Sequence, residues 1–231
     1  MASEIALIVG AGSGLSASLA RLFAREGMTV GLAARRTDKL AQLCAETGAR
    51  AYRCDTADAG QVASLFEALG RDLGDPAVVV YNASARVRGP IESLDPAGVR
   101  DAFAVSAIGG FLVGQQAARR MLARGRGTIL FTGATASVKG FPQSASFAMG
   151  KFALRGLAQS MARELAPKGI HVAHIVIDGG IASSYAESDA ERESDRFLDP
   201  DAIAQTYLHL HRQHRSAWSW EVELRPWTER F

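Results

Sequence analysis

The sequence predicts an α/β fold, a single domain built on a doubly wound, parallel, seven-stranded sheet. Three observations carry that expectation. Short, uniformly apolar runs alternate with longer stretches of helical periodicity almost from end to end, the pattern of parallel strands covered on both faces. The first apolar run ends in a cluster of glycines that opens the first helix. No composition shift, linker or internal repeat divides the 231 residues.

The elements follow in order. Ile5 to Val9 is wholly apolar and reads as the first strand. Leu15, Leu19, Leu22 and Phe23 form one stripe at helical spacing that closes near Gly27. Thr29 to Ala34 is the second strand, and Asp38 to Glu46 a helix with Gly48 as its stop. Ala51 to Cys54 is a short third strand. Val62, Leu65, Phe66 and Leu69 mark a helix from Ala57 to Leu69, and Ala77 to Tyr81 is the fourth strand. At Asp95-Pro96 the aspartate can cap and the proline suits a first turn, so a long helix runs from there to about Ala123. Thr128 to Thr132 is the fifth strand. Ser144 to Leu165 is helical, stopped by Pro167 and Gly169, and Ile170 to Ile177 is the sixth strand. A second Asp-Pro start at Asp199 opens a helix to about His211, and Trp220 to Leu224 is the last strand.

Composition bounds the function classes. Hydrophobic residues at 48% and charged residues at 22% describe an ordinary folded domain and exclude wholesale disorder. With 26 basic against 24 acidic residues the net charge is +2, which gives no support for a nucleic-acid partner. Cys44 and Cys54 lack CxxC spacing and read as two reduced thiols of a cytoplasmic protein. There is no run of 18 apolar residues, so no membrane span is expected, and Ile5 to Val9 is too short for a signal peptide. His171 and His174 lie three apart in a strand, on opposite faces, and read as structural. His209, His211 and His214 share no helix face with acids at ligand spacing, so no metal site is expected. Gly179 to Leu198 is the least regular stretch, with Glu187, Asp189, Glu191, Glu193 and Asp195. It reads as a solvated loop or as a substrate lid beyond the strand carboxyl ends, two compatible roles.

Gly10-Ala-Gly12-Ser13-Gly14-Leu15 follows the first strand directly. Such a turn lets backbone approach a pyrophosphate, and the helix behind it offers N–H groups and a positive dipole end. Leucine in the sixth place departs from GxGxxG, so position rather than spelling makes this a dinucleotide candidate. The second strand ends Ala33-Ala34-Arg35-Arg36, where an NAD site would place an acid on the ribose 2′-hydroxyl. A carboxylate repels a 2′-phosphate and guanidinium groups bind it, so NADP(H) is expected over NAD(H).

Further segments extend the pattern. Val9 to Ser16 is similar to a TGxxxGxG turn, with Val9 and Ser16 in the threonine and last glycine places. Asp55 follows the third strand, Tyr81-Asn82-Ala83-Ser84 is similar to NNAG, and Asp178-Gly179-Gly180-Ile181 occupies a PG place. Arg163 to Ile170 leads from the long helix into the sixth strand. In order and spacing these segments resemble the short-chain dehydrogenase/reductase family, of classical type, over nearly the whole chain. The resemblance implies a Rossmann fold. It implies that Asp55 meets adenine and that Ser183 meets the nicotinamide carboxamide. Thr132, Gly133 and Lys151 join the glycine turn, Arg35, Arg36, Asn82, Ala83, Ser84, Asp178, Gly179 and Ile181 in the expected cofactor site. It also implies a homodimer or homotetramer through the long fourth and fifth helices and the last strand.

The catalytic positions depart from the family. Its chemistry rests on Asn, Ser, Tyr and Lys, the tyrosine moving a proton at the substrate oxygen and the lysine holding the ribose. Here the YxxxK place reads Phe147-Ala-Met-Gly-Lys151, the serine place is Ala134 and the asparagine place is Ser106. Lys151 alone remains, among apolar neighbours. Replacement hydroxyls are Ser144, one turn before Phe147, then Thr135, Ser137 and Tyr185. Ser146 sits about 100° round the helix from Phe147 and should point elsewhere. Trp218, Trp220, Trp227 and Phe231 crowd the C-terminus, as an interface or as packing on their own subunit. Three functions stay open: an NADP(H)-dependent oxidoreductase acting on a small carbonyl or enone, a non-catalytic NADP(H)-binding sensor or partner subunit, and a lyase or isomerase.

Overall fold

In the computed structural model, residues 3–182 and 196–228 are described. Seven strands form one sheet in the order β3-β2-β1-β4-β5-β6-β7, with every neighbouring pair parallel. They are β1 Ile5–Val9, β2 Thr29–Ala34, β3 Arg50–Arg53, β4 Val78–Tyr81, β5 Gly127–Thr132, β6 Ile170–Ile177 and β7 Glu221–Leu224. The α/β, doubly wound, seven-stranded fold expected from the sequence is the observed one.

Side chains alternate across the central strands and so feed two cores. Ala6 and Ile8 of β1 pack on one face with Leu19 and Phe23 of α1 (Leu15–Arg25), and with Ile203, Tyr207 and Leu208 of the C-terminal helix. Leu7 and Val9 point to the other face. There they meet Phe66 and Leu69 of α3 (Ala59–Asp72), and Val113, Met121 and Leu154 of the two long helices. The short α2 (Ala41–Thr47) is preceded by a 3-10 turn at Asp38–Leu40, where the sequence suggested one helix.

The long helices are α4 (Pro96–Leu122) and α5 (Ala145–Leu165). Asp95 caps α4, accepting from the Ala97 and Gly98 N–H groups at 3.2 and 2.9 Å. Asp199 likewise caps α6 (Pro200–Arg212). By length and composition α4 could cross a membrane, but Val113, Ala117 and Met121 bury it against the sheet and α3. It is a core helix.

One irregularity was absent from the sequence expectation. Ala104–Ile108 adopts π geometry within α4. A π turn frees a carbonyl from the regular ladder. The buried Tyr81 hydroxyl at the end of β4 donates to Val105 O and lies 3.3 Å from Thr56 Oγ1.

Candidate active site and cofactor cleft

The strand order reverses between β1 and β4, so their carboxyl ends open a crevice. Gly10 leaves β1 at φ +86°, and a Cβ there would stand 2.3 Å from the Ala83 backbone nitrogen. Only glycine lets these strand ends meet. Asn82 Nδ2 donates to Ser16 Oγ at 2.7 Å, and Ser16 Oγ donates to the Gly10 carbonyl at 3.2 Å, tying the turn to β4. Gly12 and Gly14 differ from Gly10: beyond the adjoining chain, no atom of the described residues lies within 4 Å of where their Cβ would be. Gly14 caps α1 without a side-chain acceptor, so first-turn N–H groups stay available to an anion.

Beside this turn lies a cavity of about 260 Å³. Its lining brings together Gly10, Ala34, Arg35, Asp55, Asn82, Ala83 and Ser84. Arg36 and Ser13 are exposed and line no part of it, while the Leu15 side chain packs into the core.

A second cavity, of about 470 Å³, is lined by Arg86, Arg88, Ala134, Thr135, Phe141, Gln143, Ser144, Phe147 and Gly179. Two cations approach the Phe147 ring. The Arg86 guanidinium carbon is 5.5 Å from its centroid and Lys151 Nζ is 5.8 Å away. Lys151 is 3% exposed and Nζ donates to the Thr132 carbonyl at 2.7 Å. Burial pulls its pKa down to about 8. The Thr132 hydroxyl is turned away, 2.8 Å from that of Tyr207.

The remaining hydroxyls divide into two groups. Ser106, in the π turn, accepts from the Ala85 N–H and donates to the Ala85 carbonyl, both at 3.0 Å. Ser146 does the same for Val87, at 2.9 and 2.8 Å. Ser137 accepts from the Ala134 N–H at 3.1 Å. These three are buried and engaged with backbone. Ser144 and Thr135 line the cavity beside Phe147, and Ser144 heads α5 without spending its side chain on a cap.

Behind Lys151 stands a polar cluster that sequence reasoning missed. His174 Nδ1 lies 3.0 Å from Glu221 Oε2, and Arg155 grips the same carboxylate at 2.6 and 2.7 Å. The carboxylate can only accept, so Nδ1 carries the proton, and Nε2 is buried without a hydrogen-bond partner among the described residues. Nε2 looks onto Gly133, where a Cβ would be only 2.4 Å away. Burial drives the His174 pKa down to about 4, against the pull of Glu221. One sequence signal pointed here, Arg155 one turn beyond Lys151; that His174 faces Glu221 follows only from the β6–β7 register.

Asp178 pairs with Arg225 at 3.1 Å, and Gly179 packs against Leu198 and Pro226. Ile181 bridges to Leu198. Ser183 and Tyr185 lie outside the described residues, as do all the loop acids from Glu187 to Asp195. Among the described residues no group of three His, Cys, Asp or Glu could hold a metal ion. Trp218 stacks on His171 and Trp220 on Arg155, so both pack on their own subunit.

A glycine turn at the switch point of a doubly wound sheet, with a lysine buried on the long helix behind it, defines a dinucleotide-binding type of α/β protein. The chain belongs to the short chain dehydrogenase family, whose profile matches residues 4–194. That family comprises oxidoreductases that use nicotinamide cofactors. The chain is 31% identical over 192 residues to cis-4-hydroxycyclohexanecarboxylate dehydrogenase of Sinomonas cyclohexanicum, covering 81% of this chain and 75% of the relative. D-threitol dehydrogenase of Mycolicibacterium smegmatis is 30% identical, with 73% and 67% covered. Among solved structures, a short-chain dehydrogenase from Rhodopseudomonas palustris superposes with TM-score 0.84 at 38% identity, covering 97% of this chain and 99% of that one. A metagenomic short-chain oxidoreductase in complex with NADP gives TM-score 0.84 at 25% identity, with 98% of each chain covered.

Proposed function

We propose that the protein is an NADP(H)-dependent oxidoreductase acting on a small carbonyl or enone compound, with an active site that lacks the family's tyrosine and serine. The supporting observation is the cavity at the end of β1, which gathers Arg35, Asp55, Asn82 and Ser84 beside the open glycine turn. Arg35 stands there in place of the acid that would repel a 2′-phosphate. The residues fit the group: Gly12 and Gly14 leave space against their backbone, and the start of α1 suits the pyrophosphate. Bound there, the cofactor supplies or takes the hydride.

Lys151 spends one N–H on the Thr132 carbonyl and keeps two for the ribose hydroxyls. Phe147 and Ala134 cannot move a proton. Ser144 and Thr135 are the cavity hydroxyls beside Phe147, and Lys151, with its pKa near 8, holds a proton it releases close to neutrality. A second reading, a non-catalytic NADP(H)-binding sensor, is favoured by the loss of those same two side chains. The exposed Ile108 and Phe111 of α4 and Met149 and Phe152 of α5 support a homo-oligomer, and the free thiols of Cys44 and Cys54 support a cytoplasmic location.

Fluorescence titrations with NADPH and NADH test the cofactor. NADPH should bind at least about tenfold tighter, and Arg35→Ala should remove that preference; tighter NADH binding overturns it. Oxidation of bound NADPH is then followed against carbonyls and enones. Turnover by the wild type supports the enzyme. Binding without turnover, with turnover appearing in the Phe147→Tyr, Ala134→Ser variant, gives the sensor, since general acid help is worth about 10²–10⁴ in rate.

A further inference from the structure

The segment after β4 is held in an unusual way. Ser106 closes both backbone groups of Ala85, Ser146 closes both of Val87, and the Gly89 N–H donates to the Gln143 carbonyl at 3.3 Å. Both serines are fully buried. Odd-numbered residues are thus pinned to α4, α5 and the turn before α5. In extended backbone the even-numbered residues share the opposite side, and Arg86 and Arg88 both line the cavity around Phe147. The described lining contains no aspartate or glutamate, and neither arginine has a carboxylate partner among the described residues. Lys151 joins Arg86 as a second cation at the Phe147 ring. Phe147 and the half-exposed Phe141 supply the apolar wall.

From this geometry we infer that the Phe147 cavity binds an anionic substrate, an apolar body carrying a carboxylate or phosphate group that Arg86 and Arg88 grip, with Ser106 and Ser146 as positioning residues. Guanidinium forks match both groups bidentately. With the hydroxyls at the Ala134 and Phe147 places lost, a neutral carbonyl keeps only Ser144 and Thr135 to orient it, whereas an anion is also oriented by its charged group. The inference rests on reading this cavity as the substrate site of the proposed oxidoreductase.

The test uses ¹⁹F NMR titration of the full chain, with and without saturating NADPH, and three probes. These are 4-fluorobenzoate, 4-fluorophenyl phosphate and the neutral isostere 4-fluorobenzamide. One or both anions should bind at least tenfold tighter than the amide, and the better anion identifies the group. Arg86→Gln and Arg88→Gln should each weaken that binding about tenfold, while Arg25→Gln, exposed at the end of α1 and outside both cavities, leaves it unchanged. Ser106→Ala and Ser146→Ala should weaken the anions while NADPH titrates as in the wild type. Anions that bind no tighter than the amide, or that ignore both arginine substitutions, overturn the inference. Failure of NADPH to bind, with the anions still dependent on Arg86 and Arg88, would instead overturn the cofactor reading and leave this one standing.

Discussion

Two glycines of one turn serve different ends at the residue scale. Gly10 is needed by the fold, because its φ of +86° and its 2.3 Å approach to Ala83 exclude a side chain. Gly12 is not, because a Cβ there meets nothing within 4 Å among the described residues beyond its chain neighbours. Gly10→Ala should therefore cost about 2 kcal/mol or more in urea unfolding. Gly12→Ala should keep the wild-type midpoint yet weaken NADPH at least about tenfold, because its methyl fills space a phosphate needs. Parallel unfolding and fluorescence titrations separate the two. The sequence showed both as members of one glycine cluster, and nothing local distinguishes them. The difference lies in Ala83, more than seventy residues away, as the partner of Gly10 alone. Lys151 was legible for the opposite reason: its apolar neighbours on one helix already imply burial.

At the scale of elements, strands and caps were readable and the π turn was not. Uniform apolar runs and the Asp-Pro starts at Asp95 and Asp199 carry their own instructions. The π turn at Ala104–Ile108 depends on Tyr81, which satisfies the Val105 carbonyl from another element. Ser146 was expected to point away from the Phe147 site, and it does, but its target at Val87 lies in a segment without periodicity. The β6–β7 edge holds its own device. His174 is buried neutral with its pKa near 4 against an ordinary 6.5. The unfolded chain takes up this proton first, so stability is complete above pH 6.5 and declines as pH falls toward 4. Between pH 7 and 5 this one group should cost about 2 kcal/mol. Urea unfolding of His174→Asn, whose amide can keep the bond to Glu221, should show a pH dependence smaller by that amount.

The whole molecule presents apolar side chains that its own core does not use. Ile108, Phe111, Met149 and Phe152 are 45 to 52% exposed, on the two long helices that also carry Ser106, Ser146 and Lys151. Light scattering should give a multiple of the 24.5 kDa chain mass, and Phe111→Glu with Phe152→Glu should reduce it to one chain; a wild-type monomer contradicts the proposed homo-oligomer. The sheet order has a further consequence. Strands 3-2-1 and 4-5-6-7 each assemble by steps between chain neighbours, and within the sheet only the β1–β4 seam joins distant segments. The cavity at that seam takes Gly10 and Ala11 from one half and Asn82, Ala83 and Ser84 from the other. A molecule seated there is a staple across the seam, bound only while the halves are together. Its binding energy should add to the free energy of opening the seam. Amide exchange at Leu7 to Val9 and Val79 to Tyr81 should therefore slow on adding NADPH by the factor 1 + [NADPH]/Kd, continuing to slow after the site is full.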